Sequence, residues 1–161
     1  LSANPYYQQL LNSDTTFMTT DTPLLLVTAD PSHPLAQLAL RYARAYLKST
    51  VMNTKTTDSD VSKQQAILNV FFYADGAHTA NRLRWQSAEQ IDLTQQWQNL
   101  AKQYQLPLPV CVSTALSRGI SDRENGARHQ LEGDNLAAGF SLVGLSELAM
   151  MMQSNCRLIQ F

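Results

Sequence analysis

The chain has 161 residues, 44% hydrophobic and 16% charged, which suits one globular domain burying roughly 70% of the surface that its unfolded form exposes. With 12 basic and 13 acidic side chains the net charge is −1, so nothing draws the chain in general to nucleic acid or an anionic membrane, and direct nucleic-acid binding is not expected. Two cysteines do not make a disulfide framework, and no window approaches the roughly 18 apolar residues of a membrane span.

Residues 1–22 are rich in Asn, Gln, Ser and Thr and are expected to form a polar N-terminal arm ahead of a domain over 23–161. No Lys or Arg precedes Arg41, so a secretory signal is not expected there. Leu24 to Thr28 is a short apolar run that reads as the first buried strand. Ala29 to Pro34 is a loop in which Ser32 and two prolines signal a helix start. Leu35, Leu38, Ala39, Tyr42, Ala43 and Tyr46 follow at helical spacing and predict an amphipathic helix with that face inward. Residues 49–65 have almost no apolar content and predict a polar insertion on the surface.

Ala66 to Tyr73 restores the apolar run as a second strand, turned by Ala74-Asp75-Gly76, with a short helix expected over Ala77 to Arg84. Ser87 and Gln90 make a capping-box pair for the next helix, whose stripe is Leu93, Trp97, Leu100, Ala101 and Tyr104, with Trp97 in the core.

Leu108 to Val112, bounded by Pro107, reads as a buried strand of a parallel sheet and brings Cys111 near its C-terminal end. In open α/β sheets that edge carries the ligands and the chemistry. Ser113 or Thr114 is expected to cap a short helix, and Gly119 to close it in a left-handed conformation. The unpaired N–H groups of that first turn favour an anion beside them, a thiolate included. Cys111 is therefore the candidate nucleophile, with Ser113, Thr114 and Arg118 as supporting residues. On the residues alone, a small apolar filler in a strand fits Cys111 equally well. Arg118, Arg123 and Arg128 follow it as groups to steady a thiolate or steer an acidic partner, although solvated charges are the ordinary expectation.

Ser121 to Glu124 is another capping box, opening a polar segment with Gly126 and Gly133. Leu145, Leu148, Ala149 and Met152 mark the last helix, with Met150 and Met151 filling around it. Cys156 to Phe161 is the last strand and puts Cys156 at the edge opposite Cys111. A strand of about four residues separates those edges by roughly 13 Å, beyond the roughly 7 Å Cα limit for a bridge. Both thiols are expected to be reduced, as in a cytoplasmic protein.

The succession of strands and helices predicts a single doubly wound α/β domain, with a mostly parallel central sheet of about four to five strands flanked by helices. The sequence has no G-x-G-x-x-G, no P-loop and no G-x-S-x-G elbow. His33, His78 and His129 are far apart and lack metal-ligand spacing, so neither a cofactor nor a metal is expected. His33 and His78 follow strands, and the ordinary expectation for each is a surface or capping histidine.

Val70-Phe71-Phe72-Tyr73-x-Asp75-Gly76, Ile91-Asp92-Leu93 with Trp97 and Leu100, Val110-Cys111-Val112 with Ala115 to Ile120, Gly139 to Leu142 with Gly144-Leu145, and the Cys156 to Phe161 tail occur in an order and spacing that resemble the DsrE-like family over Pro23 to Phe161. The resemblance implies a flavodoxin-like fold and a persulfide relay. In it, the cysteine matching Cys111 accepts sulfane sulfur from a TusA-like donor and passes it to a TusE-like acceptor, toward 2-thiolation of the tRNA wobble uridine. It also implies a heterohexamer with TusB-like and TusC-like homologous subunits, and no metal or organic cofactor. Related subunits serve sulfur oxidation, and a non-catalytic scaffold subunit with a buried Cys111 is a further alternative. The 1–22 arm and the 49–65 insertion exceed the family's usual form, and the Asp30 to Pro34 loop lacks the glycine associated with it there. Cys156 matches a family position, but its place at the far edge favours a structural role.

Overall fold

The computed structural model describes residues 22–54, 68–153 and 156–161, with 51–54 as backbone alone. Its strands are β1 Thr22–Val27, β2 Asn69–Phe72, β3 Leu108–Cys111, β4 Phe140–Val143 and β5 Cys156–Gln160. The helices are α1 Pro34–Thr54, α2 Leu93–Tyr104, α3 Val112–Leu116, α4 Arg123–His129 and α5 Leu145–Gln153, and a 3₁₀ segment covers Ala74–Ala80. The strands form one sheet in the order β4-β3-β2-β1-β5, every neighbouring pair parallel. From β1 to β4 the chain steps one way across the sheet, so right-handed crossovers place α1 to α3 on one face. The return from β4 to β5 runs the other way and sets α5 on the opposite face. This is the doubly wound α/β architecture that the sequence predicts.

Two cores follow from the alternation of side chains along the strands. Leu25, Val27, Val70, Phe72 and Val110 face Ala36, Ala39, Leu40, Ala43 and Leu47 of α1 and Leu93, Trp97 and Leu100 of α2. Trp97 is a core residue, as expected, and meets the Phe72 ring edge-on with centroids 5.4 Å apart. On the other face Leu24, Phe71 and Cys111 form a smaller core, against which Leu148 and Met151 of α5 pack.

The inward stripe of α1 is rotated from the expected one. Leu35 and Leu38 are exposed, while Ala36, Ala39, Leu40, Ala43 and Leu47 are buried. The alanines let the helix approach the sheet closely, and the tyrosines lie along its flank, where Tyr42 and Tyr46 stack with centroids 6.3 Å apart and Tyr42 meets Phe161 at 6.0 Å. The helix also continues to Thr54, so 49–54 are not a loop. Ser49 and Thr50 are tolerated there because their hydroxyls donate back to the Tyr46 carbonyl, at 2.7 and 3.0 Å. The remainder of the expected insertion, 55–65, and the arm, except Thr22, lie outside the described residues; Thr22 opens β1.

Other boundaries shift for local reasons. The cap of α2 is Asp92 rather than Ser87, with the Gln95 N–H donating to its carboxylate at 3.0 Å. Ser87 and Gln90 close only a backbone turn. Asp122, not Ser121, caps α4 and accepts from the Asn125 N–H at 2.8 Å. The segment after β2 is 3₁₀ over Ala74–Ala80, not a helix over Ala77 to Arg84. β4 is an additional strand: Gly139, at φ +85°, turns the chain into it, and it is an edge strand with Ser141 exposed, so it lacks the long apolar run of the inner strands. In α5 the packed positions are Leu148 and Met151, whereas Leu145, Ala149 and Met152 are exposed. A lone helix over a sheet touches it along a narrow i, i+3 line.

Candidate functional site

β3 ends on Cys111, and the same residue is the N-cap of α3, with φ −60° and ψ 117° and no hydrogen bond from its side chain to the helix start. The helix is held from within. The Thr114 hydroxyl donates to the Cys111 carbonyl at 3.1 Å, and the Ser117 hydroxyl to the Thr114 carbonyl at 3.0 Å. Ser113 and Thr114 thus lie inside α3 and do not cap it, because β3 runs into the helix without an intervening loop. Gly119 does close it in the left-handed region, at φ +70°.

Register fixes what surrounds the thiol. Phe72 pairs with Val110 and Cys111 with Val143, so Tyr73, Cys111 and Val143 form a row across three strands with side chains on the α5 face. Leu24, Phe71 and Cys111 are the buried centre of that face, and Leu26, Tyr73, Val143, Leu148, Met151 and Cys156 pack around them. Cys111 itself is only 1% exposed. Cys156 opens β5 opposite Thr22, at the N-terminal edge and three strands from β3, and both cysteines are free thiols.

Arg118 reaches from the end of α3 to the 3₁₀ segment. Its Nε and Nη2 donate to Asp75 Oδ1 at 3.0 and 2.8 Å, and its Nη1 to the Thr114 carbonyl and the Ser117 hydroxyl, each at 3.2 Å. Asp75 went unrecognised in the sequence as this partner; its signal was the Asp-Gly pair that ends the β2 motif. Arg128 pairs with Glu124 within α4, and Arg123 is exposed.

The β1 loop adds a polar cluster at the same C-terminal edge. Ser32 N–H donates to Asp30 Oδ1 at 2.7 Å, and Arg84 Nη2 to the Ser32 hydroxyl at 2.9 Å. Burial raises the Asp30 pKa, but the hydrogen bonds from Ser32 and the charges of Arg84 and His78 outweigh it and hold the carboxyl below its ordinary value. His33 caps α1 by accepting from the Leu35 N–H at its Nδ1. His78 lies in the 3₁₀ segment and His129 ends α4. Among the described residues no three His, Cys, Asp or Glu side chains are grouped to hold a metal ion.

A doubly wound parallel α/β domain that delivers one cysteine to the C-terminal end of a central strand defines the class. The chain belongs to the DsrE/DsrF-like family, whose model matches residues 24–161. It is 40% identical over 101 residues to a protein named sulfurtransferase TusD from Erwinia tasmaniensis, covering 63% of this chain and 79% of that one. A sulfurtransferase TusD from Pectobacterium carotovorum is 39% identical over 115 residues, covering 67% and 89%. Among solved structures, the ychN protein from E. coli superposes with a TM-score of 0.58 at 18% identity, over 87% of this chain and 99% of its own. That last likeness concerns the fold alone.

Proposed function

We propose that this chain is a sulfurtransferase of a sulfur relay, carrying sulfane sulfur as a persulfide on Cys111. The observation that carries the reading is the place of Cys111, at the C-terminal end of β3 and the first residue of a strand-to-helix junction, in a chain whose relatives are named sulfurtransferases. The thiolate attacks the outer sulfur of a donor persulfide, holds it as Cys111–S–SH, and yields it to the next thiolate. The donor is a TusA-like protein and the acceptor a TusE-like one, in a cytoplasmic complex with TusB-like and TusC-like subunits that serves 2-thiolation of the tRNA wobble uridine. Ser117 and Thr114 stiffen the helix that follows the thiol, and Arg118 ties it to the β2 end.

The test is intact mass spectrometry of the wild type and of Cys111→Ser after incubation with a persulfide-loaded TusA-type donor and the complex partners. A gain of one sulfur on the wild type alone is expected; equal loading of the variant overturns the assignment. A second reading, a non-catalytic scaffold subunit, is favoured by the near-complete burial of Cys111. It requires no loading of either protein. A sulfur-oxidation subunit shares the chemistry and differs in pathway, which the identity of the accepting protein decides.

A further inference from the structure

The partly buried hydrophobic side chains packed against Leu24, Phe71 and Cys111 are Leu26, Tyr73, Val143, Leu148, Met151 and Cys156. Of these, Tyr73 carries an O–H group that can donate. It directly follows β2, and because Phe72 pairs with Val110 it lies beside Cys111 on the neighbouring strand, on the same face of the sheet. Among the described residues its hydroxyl makes no hydrogen bond and is not a buried unpartnered atom, so the ring lies half-buried against the core of that face while the oxygen reaches toward solvent. Its main chain is held, since the Tyr73 N–H donates to the Val27 carbonyl at 2.9 Å.

Both side chains leave the sheet in the same direction, but to different heights. The cysteine sulfur stands one bond beyond Cβ, whereas the phenol oxygen stands at the far end of a ring. A persulfide places its outer sulfur about 2 Å farther along than the thiol sulfur, toward the level of the hydroxyl. We infer that Tyr73 is a further catalytic residue of the relay, its phenol O–H donating a hydrogen bond to the outer sulfur of the Cys111 persulfide. This rests on the reading of Cys111 as the sulfur carrier.

The step is balanced without a redox partner. Cys111–SH and a donor R–S–SH give Cys111–S–SH and R–SH: the new S–S bond forms as the donor's breaks, the electron pair leaves on the donor sulfur, and the proton released by Cys111 ends there. Tyr73 keeps its own proton throughout. Its hydrogen bond exists in the loaded state only, so it shifts the partition of sulfur toward Cys111.

The experiment equilibrates the full-length chain and its Tyr73→Phe variant with glutathione persulfide and glutathione at a fixed ratio, and maps the extra sulfur to Cys111 by peptide mass spectrometry. The variant should show about a tenfold lower ratio of loaded to unloaded Cys111, equivalent to about 1.4 kcal/mol, with its melting temperature and the alkylation rate of the unloaded thiol unchanged. An unchanged ratio in a wild type that does load overturns the role of Tyr73 and leaves the relay standing. A lowered ratio accompanied by an equal change in the alkylation rate of the unloaded thiol marks a packing effect and overturns it too. A wild type with no sulfur on Cys111, in the complex with its partner subunits as well as in the free chain, overturns both readings.

Discussion

Arg118 lies seven residues beyond Cys111, yet its guanidinium points to Asp75, the Thr114 carbonyl and the Ser117 hydroxyl. The pair is partly solvated, with side-chain exposures of 26% and 62%, so its contribution to stability belongs with surface ion pairs, about 0–1 kcal/mol. What it adds is position: one side chain joins the helix after the thiol to the segment after β2. Asp30 illustrates the other use of a charge at this edge. Because its folded-state pKa lies below the ordinary value of 3.8, the stability it contributes is present above that value and is lost as pH falls through the folded pKa. Asp30→Asn should therefore flatten the acid limb. Urea midpoints measured from about pH 5 down to about pH 3 should fall less steeply for the variant than for the wild type, and parallel curves would remove Asp30 from the account.

The 3₁₀ segment Ala74–Ala80 is the element on which the site's frame depends, and Gly76 is what seats it. A Cβ there would lie 2.7 Å from the Val27 carbonyl carbon and closer still to its oxygen, because the Gly76 N–H donates to the Thr28 carbonyl at 3.0 Å and brings the segment down on the end of β1. Both neighbours are backbone, so the added methyl cannot be relieved by a rotamer change. Gly76→Ala should destabilise toward the upper end of the about 1–3 kcal/mol typical of overpacking, lowering the melting temperature by roughly 6–12 °C at this size; a shift under about 2 °C would show that the segment yields freely. The Asp75-Gly76 turn was legible in the sequence, as were β1, β2, β3 and the buried Trp97, because unbroken apolar runs between turn residues are strong signals. Where side chains meet only one layer, the signal weakened. The edge strand β4 has an exposed Ser141 within four residues, and among the described residues α5 packs its Leu148 and Met151 on the small core while equally apolar neighbours face outward. In α1 the expected stripe is right for Ala39 and Ala43, which are buried, and for Tyr42 and Tyr46, which pack on the core, but Leu35 and Leu38 are exposed and Leu40 and Leu47 are the buried leucines, because the contact line is turned toward Ala36, Leu40 and Leu47. For the candidate site, strand periodicity located Cys111 at the C-terminal end of its strand, but its burial and its Tyr73 neighbour depend on register and on α5, which local sequence does not encode.

At the scale of the whole molecule, the described residues cover the two faces of the sheet unequally. α1, α2 and α3 close one face over a large continuous core, while the described cover over Cys111 on the other is α5, none of whose residues is buried. A relay needs its thiol to meet another protein's persulfide, so a cysteine that is 1% exposed must be uncovered at the moment of transfer, and the thinner layer is the one that can move. On the relay reading, access to Cys111 comes through local openings that separate α5 from the sheet, and an opening free energy of about 3 kcal/mol would slow labelling roughly a hundredfold. In the isolated chain, iodoacetamide should therefore modify the half-buried Cys156 well ahead of Cys111, as read by peptide mass spectrometry over time. Leu148→Ala weakens the hold of α5 on the small core and should speed Cys111 labelling several-fold, with the Cys156 rate as internal control. Adding the homologous partner subunits then separates the two functional readings. A relay subunit should expose Cys111 in the complex and label faster there, whereas a scaffold subunit should keep it as protected as in the free chain.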